Sequence, residues 1–174
     1  MYNKKGKVIW ITGLSGSGKT TIAKQIKKKF KENHLETILL DGDRLRKVFN
    51  SNNDYDRKSR LLLARQYSNL GKILSDQGFT VIISTISLFQ EIHAWNRENL
   101  KNYFEIFLNI PIKELKSRDT KSLYKDYHIN RKKNIAGLDL KIDIPKNPNI
   151  TVSLDQQIND KLLIDKIFKK IQTT

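Results

Sequence analysis

The chain has 174 residues, with 33 Lys and Arg against 18 Asp and Glu and a formal net charge of +15. Its length favours one domain with a core of its own, and the absence of cysteine excludes disulfides, thiolate metal sites and cysteine nucleophiles. The charge favours anionic partners, either a polynucleotide or small phosphorylated molecules, although a solvated lysine-rich surface explains it equally well.

Strand and helix patterns alternate through the first half of the chain. Residues 8–12 form a β-branched and aromatic run and residues 37–40 form a second apolar run, so both predict strands. Between them, apolar residues recur at helical spacing over residues 22–30. From about residue 56 to 77 the apolar residues step by four, three and four, which predicts an amphipathic helix with Gly78 as its C-terminal stop.

The second half continues this alternation. Strands are predicted over residues 79–84, 103–109 and 150–153, and helices over residues 91–102 and 112–117. The first of these strands is apolar on both faces, as a buried parallel strand should be. Strands that alternate with helices predict an α/β fold of three layers, in which a parallel sheet has helices on both faces.

A last helix is predicted near the C-terminus, with Asp155 as its N-cap. Its apolar stripe consists of Ile158, Leu162, Ile164, Ile167, Phe168 and Ile171. No repeat, linker or low-complexity block interrupts the pattern, so residues 1–174 are predicted to form one continuous domain. The apolar runs are too short for a membrane span or a signal peptide, so we expect a cytoplasmic protein with no membrane partner.

Residues 13–20 form a phosphate-binding loop (P-loop) that matches the full pattern G-x-x-x-x-G-K-S/T between the first strand and the first helix. The glycines let backbone N–H groups curve around an anion, and the helix N-terminus adds unpaired donors. Lys19 is predicted to reach the β- and γ-phosphates, and the Thr20 hydroxyl to bind Mg²⁺. The candidate ATP site consists of Gly13, Leu14, Ser15, Gly16, Ser17, Gly18, Lys19, Thr20 and Thr21.

The P-loop indicates a nucleoside triphosphate without naming the reaction. The D-x-x-G and N-K-x-D strings of GTPases are absent, as is the Asp-Glu strand end of ATP-driven motors. Instead, Asp41-Gly42-Asp43 follows the second strand, at the sheet edge where ligands of open parallel sheets bind. The two carboxylates are predicted to hold metal-bound water and to orient an acceptor hydroxyl. For either one alone, the alternative is turn formation and capping of the next helix.

The order of motifs resembles that of the adenylylsulfate kinase family. After the P-loop come the D-G-D-x-x-R motif at residues 41–46, a D-R pair at 56–57 and an I-S strand end at 86–87. The segments R-D-x-K-x-L-Y at residues 118–124 and K-N-x-x-G-x-D at 133–139 follow, with Pro145 and Pro148 after them. The resemblance covers most of the chain and is far more specific than the P-loop alone.

The resemblance implies a kinase that moves the γ-phosphoryl group of ATP to the ribose 3′-hydroxyl of a second nucleotide. Asp43 would be the base or the anchor of metal-bound water, with Asp41 in support and Lys19 at the phosphates. Arg46 and Arg57 would hold the phosphate-like group of the acceptor. Phosphoryl transfer needs charge neutralisation and in-line positioning more than covalent chemistry, which agrees with this set of residues.

The polar, basic and weakly patterned residues 118–148 correspond to a mobile lid in the family. Arg118 and Lys121 would close with this lid over ATP, excluding water and so limiting wasteful hydrolysis. Related kinases commonly form homodimers, which is the expectation for this chain.

Five positions around the acceptor depart from the family pattern. Two phenylalanines that sandwich the adenine of adenylylsulfate are replaced by Asn52 and Ile135. An asparagine is replaced by Arg60, the I-S-P strand end reads Ile86-Ser87-Leu88, and the arginine after it is Gln90. Each lost stacking partner is worth roughly 1–3 kcal/mol of base binding, by analogy with nucleobase stacking on proteins.

Because these changes surround the acceptor while the ATP machinery is intact, the second substrate is predicted to differ. The related cytidine diphosphoramidate kinases of capsule phosphoramidate pathways suggest a cytidine nucleotide, and an adenylylsulfate kinase that holds adenine with other side chains is the alternative. A third, non-enzymatic alternative is a nucleotide-gated nucleic-acid-binding protein. The candidate acceptor site consists of Asp43, Arg46, Asn52, Arg57, Arg60, Ile86, Ser87, Leu88, Lys121, Lys133 and Ile135, and the candidate metal ligands are Thr20 and Asp43.

The remaining aromatic and histidine residues carry weaker signals. His34, His93 and His128 lie far apart in the sequence, without metal-ligand spacing, and are predicted to be surface or loop histidines. Trp10 is predicted to lie in the core. Phe89 is predicted either to line the acceptor pocket or to pack at the end of a strand.

Overall fold

The structure is a computed structural model that describes residues 6–49, 55–119, 122–153 and 160–174. Its strands are β1 (Val8–Gly13), β2 (Thr37–Asp41), β3 (Thr80–Thr85), β4 (Tyr103–Asn109) and β5 (Ile150–Ser153). They form a five-stranded sheet in the order β2-β3-β1-β4-β5, and every neighbouring pair is parallel. The predicted α/β fold is therefore confirmed, and the predicted bounds of β4 and β5 are those observed.

The helices of the described residues are α1 (Lys19–Glu32), α2 (Gly42–Val48), α3 (Arg57–Asp76), α4 (Gln90–Asn99), α5 (Ile112–Arg118), α6 (Leu123–His128) and α7 (Lys161–Thr173). The predicted stop of α3 is confirmed, because Gly78 has a φ of 95° and its N–H donates to the Ser75 carbonyl oxygen. Among these helices, none is both long and apolar enough to cross a membrane.

Two hydrophobic clusters pack on opposite faces of the sheet and give the three predicted layers. One cluster joins Ile9 and Ile11 of β1 to α1 and α7. The other joins Trp10 to α3 and α4, and the Trp10 side chain is completely buried, as predicted. The alternation of side chains along β1 therefore supplies both cores, which is why this strand reads as a continuous apolar run.

The start of the last helix differs from the prediction. Asp160 caps α7 by accepting a hydrogen bond from the N–H of Leu162 at 2.9 Å, whereas the predicted cap Asp155 and the stripe residue Ile158 lie outside the described residues. The Leu162 side chain is 76% exposed, so its place in the apolar stripe was wrong. Its neighbour Leu163 is buried instead, because it lies on the same helix face as the buried Ile167 and Ile171 at spacings of four residues.

The prediction of a surface or loop position for His93 was also wrong. His93 lies in α4, is completely buried, and its Nε2 is 3.0 Å from the Ser87 carbonyl oxygen. Burial lowers the pKa of His93 to about 4, so the imidazole is neutral at neutral pH. Next to it, the buried carboxylate of Glu105 accepts hydrogen bonds from Arg97 and from the Tyr103 hydroxyl at 2.9 Å.

Candidate active site

The P-loop connects β1 to α1 at the carboxyl edge of the sheet. Gly16 and Gly18 have φ values of 77° and 92°, a left-handed conformation that only glycine adopts without strain. Gly18 is the N-cap of α1 and supplies no side-chain acceptor, so no cap side chain occupies the first-turn N–H groups. Lys19 donates from Nζ to the Leu14 carbonyl oxygen at 2.6 Å, which holds its ammonium group against the loop. These features suit residues 13–20 to a polyphosphate anion, as the sequence pattern predicts.

Asp41, the last residue of β2, joins the P-loop to the neighbouring strands. Its Oδ2 accepts hydrogen bonds from the hydroxyls of Thr20 at 2.8 Å and Ser84 at 3.1 Å. Its Oδ1 accepts from the backbone N–H groups of Asp43 at 3.1 Å and Arg44 at 3.4 Å, so Asp41 also caps α2. Burial favours the neutral carboxyl, but these hydrogen bonds outweigh it and hold the pKa of Asp41 below its usual value.

A cavity opens beside Asp43, between α2, α3, the loop after β3 and the lid, and we call it the acceptor cavity. Six predicted acceptor residues line it, namely Asp43, Arg46, Arg60, Ile86, Ser87 and Leu88. Phe89 is 3% exposed and packs in the cluster that contains Trp10, so its predicted packing at the end of a strand is confirmed, and it also lines this cavity. The other lining residues are Gly42, Leu63, Tyr67, Thr85, Ala136, Leu140 and Ile142.

Arg60, one of the five departures from the family pattern, lines this cavity and is held by two backbone carbonyl groups. Its Nε donates to the Tyr55 carbonyl oxygen at 2.7 Å and its Nη2 to the Asn134 carbonyl oxygen at 3.0 Å. The side chain therefore ties the start of α3 to the lid. Burial, with the nearby charge of Arg46, lowers the pKa of Arg60 to about 10, so the guanidinium stays charged at neutral pH.

Three predicted acceptor residues do not line the cavity. Arg57 lies behind Phe89 and pairs with Glu91 at 3.0 Å. Ile135 is 4% exposed and packs in an apolar cluster beneath the lid, while the adjacent Ala136 lines the cavity, and the predicted acceptor contact of Ile135 stays a prediction. Lys133 is exposed on the lid. The predicted contacts of Asn52 and Lys121 lie outside the described residues.

Several cavity residues were missed by the sequence analysis. Tyr67 reads as a core residue of α3 because of its helical spacing, yet its hydroxyl donates to the Gly42 carbonyl oxygen at 3.1 Å. Burial raises the pKa of Tyr67 to about 12, which keeps the phenol protonated. For Leu140 and Ile142 the sequence signal was weak: they are apolar residues within a largely polar stretch.

The lid contacts the P-loop directly. The Asp119 carboxylate accepts hydrogen bonds from the N–H groups of Leu123, Tyr124 and Lys125 at 2.8–3.0 Å, which organises the start of α6. The Tyr124 hydroxyl then donates to the Ser15 carbonyl oxygen at 3.1 Å. Arg118 is exposed at the end of α5, on the segment that leads into this contact.

The chain is similar to known kinases of one family. The sequence pattern of the adenylylsulphate kinase family matches residues 5–153. A cytidine diphosphoramidate kinase of Campylobacter jejuni is 38% identical over 164 residues, which are 94% of this chain and 95% of that protein. An adenylyl-sulfate kinase of Clostridium acetobutylicum is 36% identical over 173 residues, which are 99% of this chain and 86% of that protein.

A solved structure extends the comparison to the fold. The Mycobacterium tuberculosis APS kinase CysC in complex with AMPPNP and APS has a TM-score of 0.88 at 29% identity, covering 97% of this chain and 98% of that chain. The resemblance read from the motifs is confirmed. The chain therefore belongs to the adenylylsulphate kinase family and is a phosphotransferase with a hydroxyl acceptor.

Proposed function

We propose that this protein transfers the γ-phosphoryl group of ATP to the ribose 3′-hydroxyl of cytidine diphosphoramidate. The observation that carries the proposal is the placement of the two aspartates that follow β2. Asp41 is hydrogen-bonded to Thr20 of the P-loop, while Asp43, two residues later, lines the acceptor cavity. Donor and acceptor would therefore meet at this turn.

The donor half uses the P-loop. Backbone N–H groups of residues 13–18 bind the polyphosphate, and the Lys19 ammonium stabilises the charge that develops on the transferred group. Thr20 and Asp43 would hold Mg²⁺, with Asp41 adjacent, because hydroxyl and carboxylate oxygens beside substrate phosphates are the ligands Mg²⁺ prefers. When bound, the ion neutralises phosphate charge. Among the described residues no cluster of three His, Asp or Glu side chains offers an all-protein metal site, which fits an ion bound jointly with substrate.

The acceptor half uses the exposed carboxylate of Asp43. It accepts the proton of the ribose 3′-hydroxyl as that oxygen forms a bond to the γ-phosphorus and the bond to ADP breaks. Arg46, Arg57 and Arg60 attract the anionic diphosphate-like group of the acceptor. Arg118 and Lys121 on the lid close over ATP.

The shape of the cavity wall supports a pyrimidine base. The lid contributes Ala136, Leu140 and Ile142 to the cavity, which are aliphatic and cannot stack on a purine as a phenylalanine ring does. A pyrimidine has less ring surface and loses less when that stacking is absent. The 38% identity to the Campylobacter jejuni cytidine diphosphoramidate kinase supports the same acceptor.

Adenylylsulfate is the second candidate acceptor. It is favoured by the TM-score of 0.88 to the APS kinase solved with AMPPNP and APS. In that case Leu88, Phe89 and the lid would have to hold adenine without the two phenylalanine rings that stack on it in the family.

Side-by-side turnover tests the proposal. ADP release is measured with Mg²⁺ and ATP while cytidine diphosphoramidate or adenylylsulfate is titrated, and the product is checked for a 3′-phosphate. We expect kcat/KM to favour the cytidine nucleotide by at least about tenfold, the ratio that one lost stacking partner produces. A preference for adenylylsulfate would reject the first acceptor, and no ADP release with any nucleotide would reject the kinase. Sedimentation of the same sample tests the proposed homodimer, and filter binding at several salt concentrations tests the nucleic-acid alternative.

A further inference from the structure

Asp143, in the C-terminal part of the lid, makes two hydrogen bonds to the loop that forms one wall of the acceptor cavity. Its backbone N–H donates to the Leu88 carbonyl oxygen at 2.9 Å. Its Oδ2 accepts a hydrogen bond from the backbone N–H of Gln90 at 3.2 Å. Since Leu88 lines the cavity, Asp143 joins the lid to the loop that forms the cavity wall.

The same carboxylate also reaches Arg57. The Arg57 Nη2 lies 3.4 Å from Asp143 Oδ2 and 3.0 Å from Glu91 Oε1. The guanidinium carbon lies 5.1 Å from the ring centroid of Phe89, a residue of the cavity wall. Two carboxylates and a ring thus fix the orientation of this guanidinium.

The guanidinium nitrogen Nη1 of Arg57 is buried and has no hydrogen-bond partner among the described residues. A buried guanidinium nitrogen without an acceptor is costly unless a ligand supplies one. The carboxylates engage Nη2 alone, so Asp143 and Glu91 together set the orientation of the guanidinium against the Phe89 ring.

We infer that Asp143 is a positioning residue for the acceptor. It holds its part of the lid against the wall at Leu88 and helps to orient Arg57, without touching the substrate itself. This inference rests on the proposed function, in which Arg57 binds the anionic group of the acceptor. Loss of Asp143 is expected to weaken acceptor binding and to leave ATP binding unchanged, because the P-loop lies on β1 and makes none of these contacts.

Kinetics of four variants test the inference. Asp143→Ala removes both side-chain contacts, Asp143→Asn removes the charge, and Asp143→Glu keeps the carboxylate. Glu91→Ala is the matched control, because Glu91 pairs with the same guanidinium from α4 and leaves the junction with the lid intact. We expect Asp143→Ala to raise the acceptor KM about tenfold with an ATP KM within about twofold of wild type, since small displacements of a positioning group cost this much or more. Asp143→Glu should restore most of the acceptor KM, and Glu91→Ala should raise it by less than Asp143→Ala.

Hydrogen–deuterium exchange gives a readout that needs no turnover. Asp143→Ala should speed exchange in peptides that cover residues 86–90 and 140–146, and Glu91→Ala should not. Equal changes in both KM values, or a lower Tm with unchanged KM values, would overturn the inference in favour of a purely structural role. If the wild-type protein phosphorylates no nucleotide, the proposed function fails. The contact of Asp143 with the cavity wall is tested separately, because exchange rates in Asp143→Ala equal to those of wild type would contradict it.

Discussion

Replacement of Asp41 by alanine should cost stability, and the structure gives the size of the loss. The carboxylate caps α2 through two backbone N–H groups, and loss of a helix cap costs about 1 kcal/mol. It also accepts the hydroxyls of Thr20 and Ser84, and a hydrogen bond to a charged group contributes about 1.5–3 kcal/mol. Because the site is only half-buried and water can replace part of the loss, we expect Asp41→Ala to lower the free energy of unfolding by about 2–4 kcal/mol.

Replacement of Asp43 by alanine should affect turnover and not stability. Its side chain is exposed at the cavity, so Asp43→Ala should change the free energy of unfolding by less than about 1 kcal/mol. Turnover should fall by about 10²–10⁴-fold, the usual contribution of a general base. We therefore expect Asp41→Ala to lower mainly the free energy of unfolding and Asp43→Ala to lower mainly turnover, although the two residues are only two positions apart.

Urea unfolding followed by circular dichroism, together with ADP release under saturating substrates, measures both effects. Asp41→Asn is the matched control, because asparagine caps helices about as well as aspartate and should retain most of the stability. Near-normal turnover in Asp43→Ala would refute the role given to Asp43. A loss of stability in Asp43→Ala equal to that in Asp41→Ala would refute the separation itself.

Three further outcomes are expected. Tyr124→Phe removes the hydrogen bond to Ser15 and should raise the ATP KM about fivefold, the equivalent of about 1 kcal/mol, with the acceptor KM unchanged in a two-substrate titration. Gly18→Ala should lower ATP affinity in a binding titration, because a Cβ at a φ of 92° is strained. Burial lowers the pKa of His93 to about 4, so between about pH 6.5 and 4 this histidine binds a proton in the unfolded chain but not in the folded protein. The free energy of unfolding is therefore expected to fall by up to about 3 kcal/mol as pH falls from 6.5 to 4. His93→Gln should flatten this dependence in urea unfolding across that range.

The sheet was predictable because its signals are local. Parallel strands buried on both faces read as nearly continuous apolar runs whatever their neighbours are: β1 begins with four apolar residues, and β4 is apolar except for Glu105 and Asn109. Helix α6 was not predictable, because its six residues are too few for a period and its start depends on the Asp119 carboxylate. His93 was misplaced for a related reason, since only the packing of α4 on the sheet makes a polar residue buried.

The two halves of the candidate site also differ in how far the sequence predicts them. The P-loop is one contiguous segment, so its sequence pattern predicts its geometry. The acceptor cavity collects residues from α2, α3, the loop after β3 and the lid, which no sequence spacing relates. This is why helical spacing places Tyr67 in the core, where it lies, but does not show that Tyr67 also lines the cavity. A lid without a regular period gives no rule for which side chain points inward, so the sequence did not single out Ala136 beside Ile135.

This division has a consequence for how substrate preference changes in such a fold. The donor half lies at the end of β1, in the middle of the sheet, whereas the acceptor half lies at the ends of β3 and β2, towards one edge. Asp41 links the halves through Thr20 and Ser84, and neither hydroxyl belongs to the cavity lining. Substitutions such as Arg60 therefore alter the wall of the cavity without disturbing the loop that binds phosphate. If the acceptor differs as proposed, new contacts are expected on that wall, where two of the five departures from the family pattern, Arg60 and Leu88, lie.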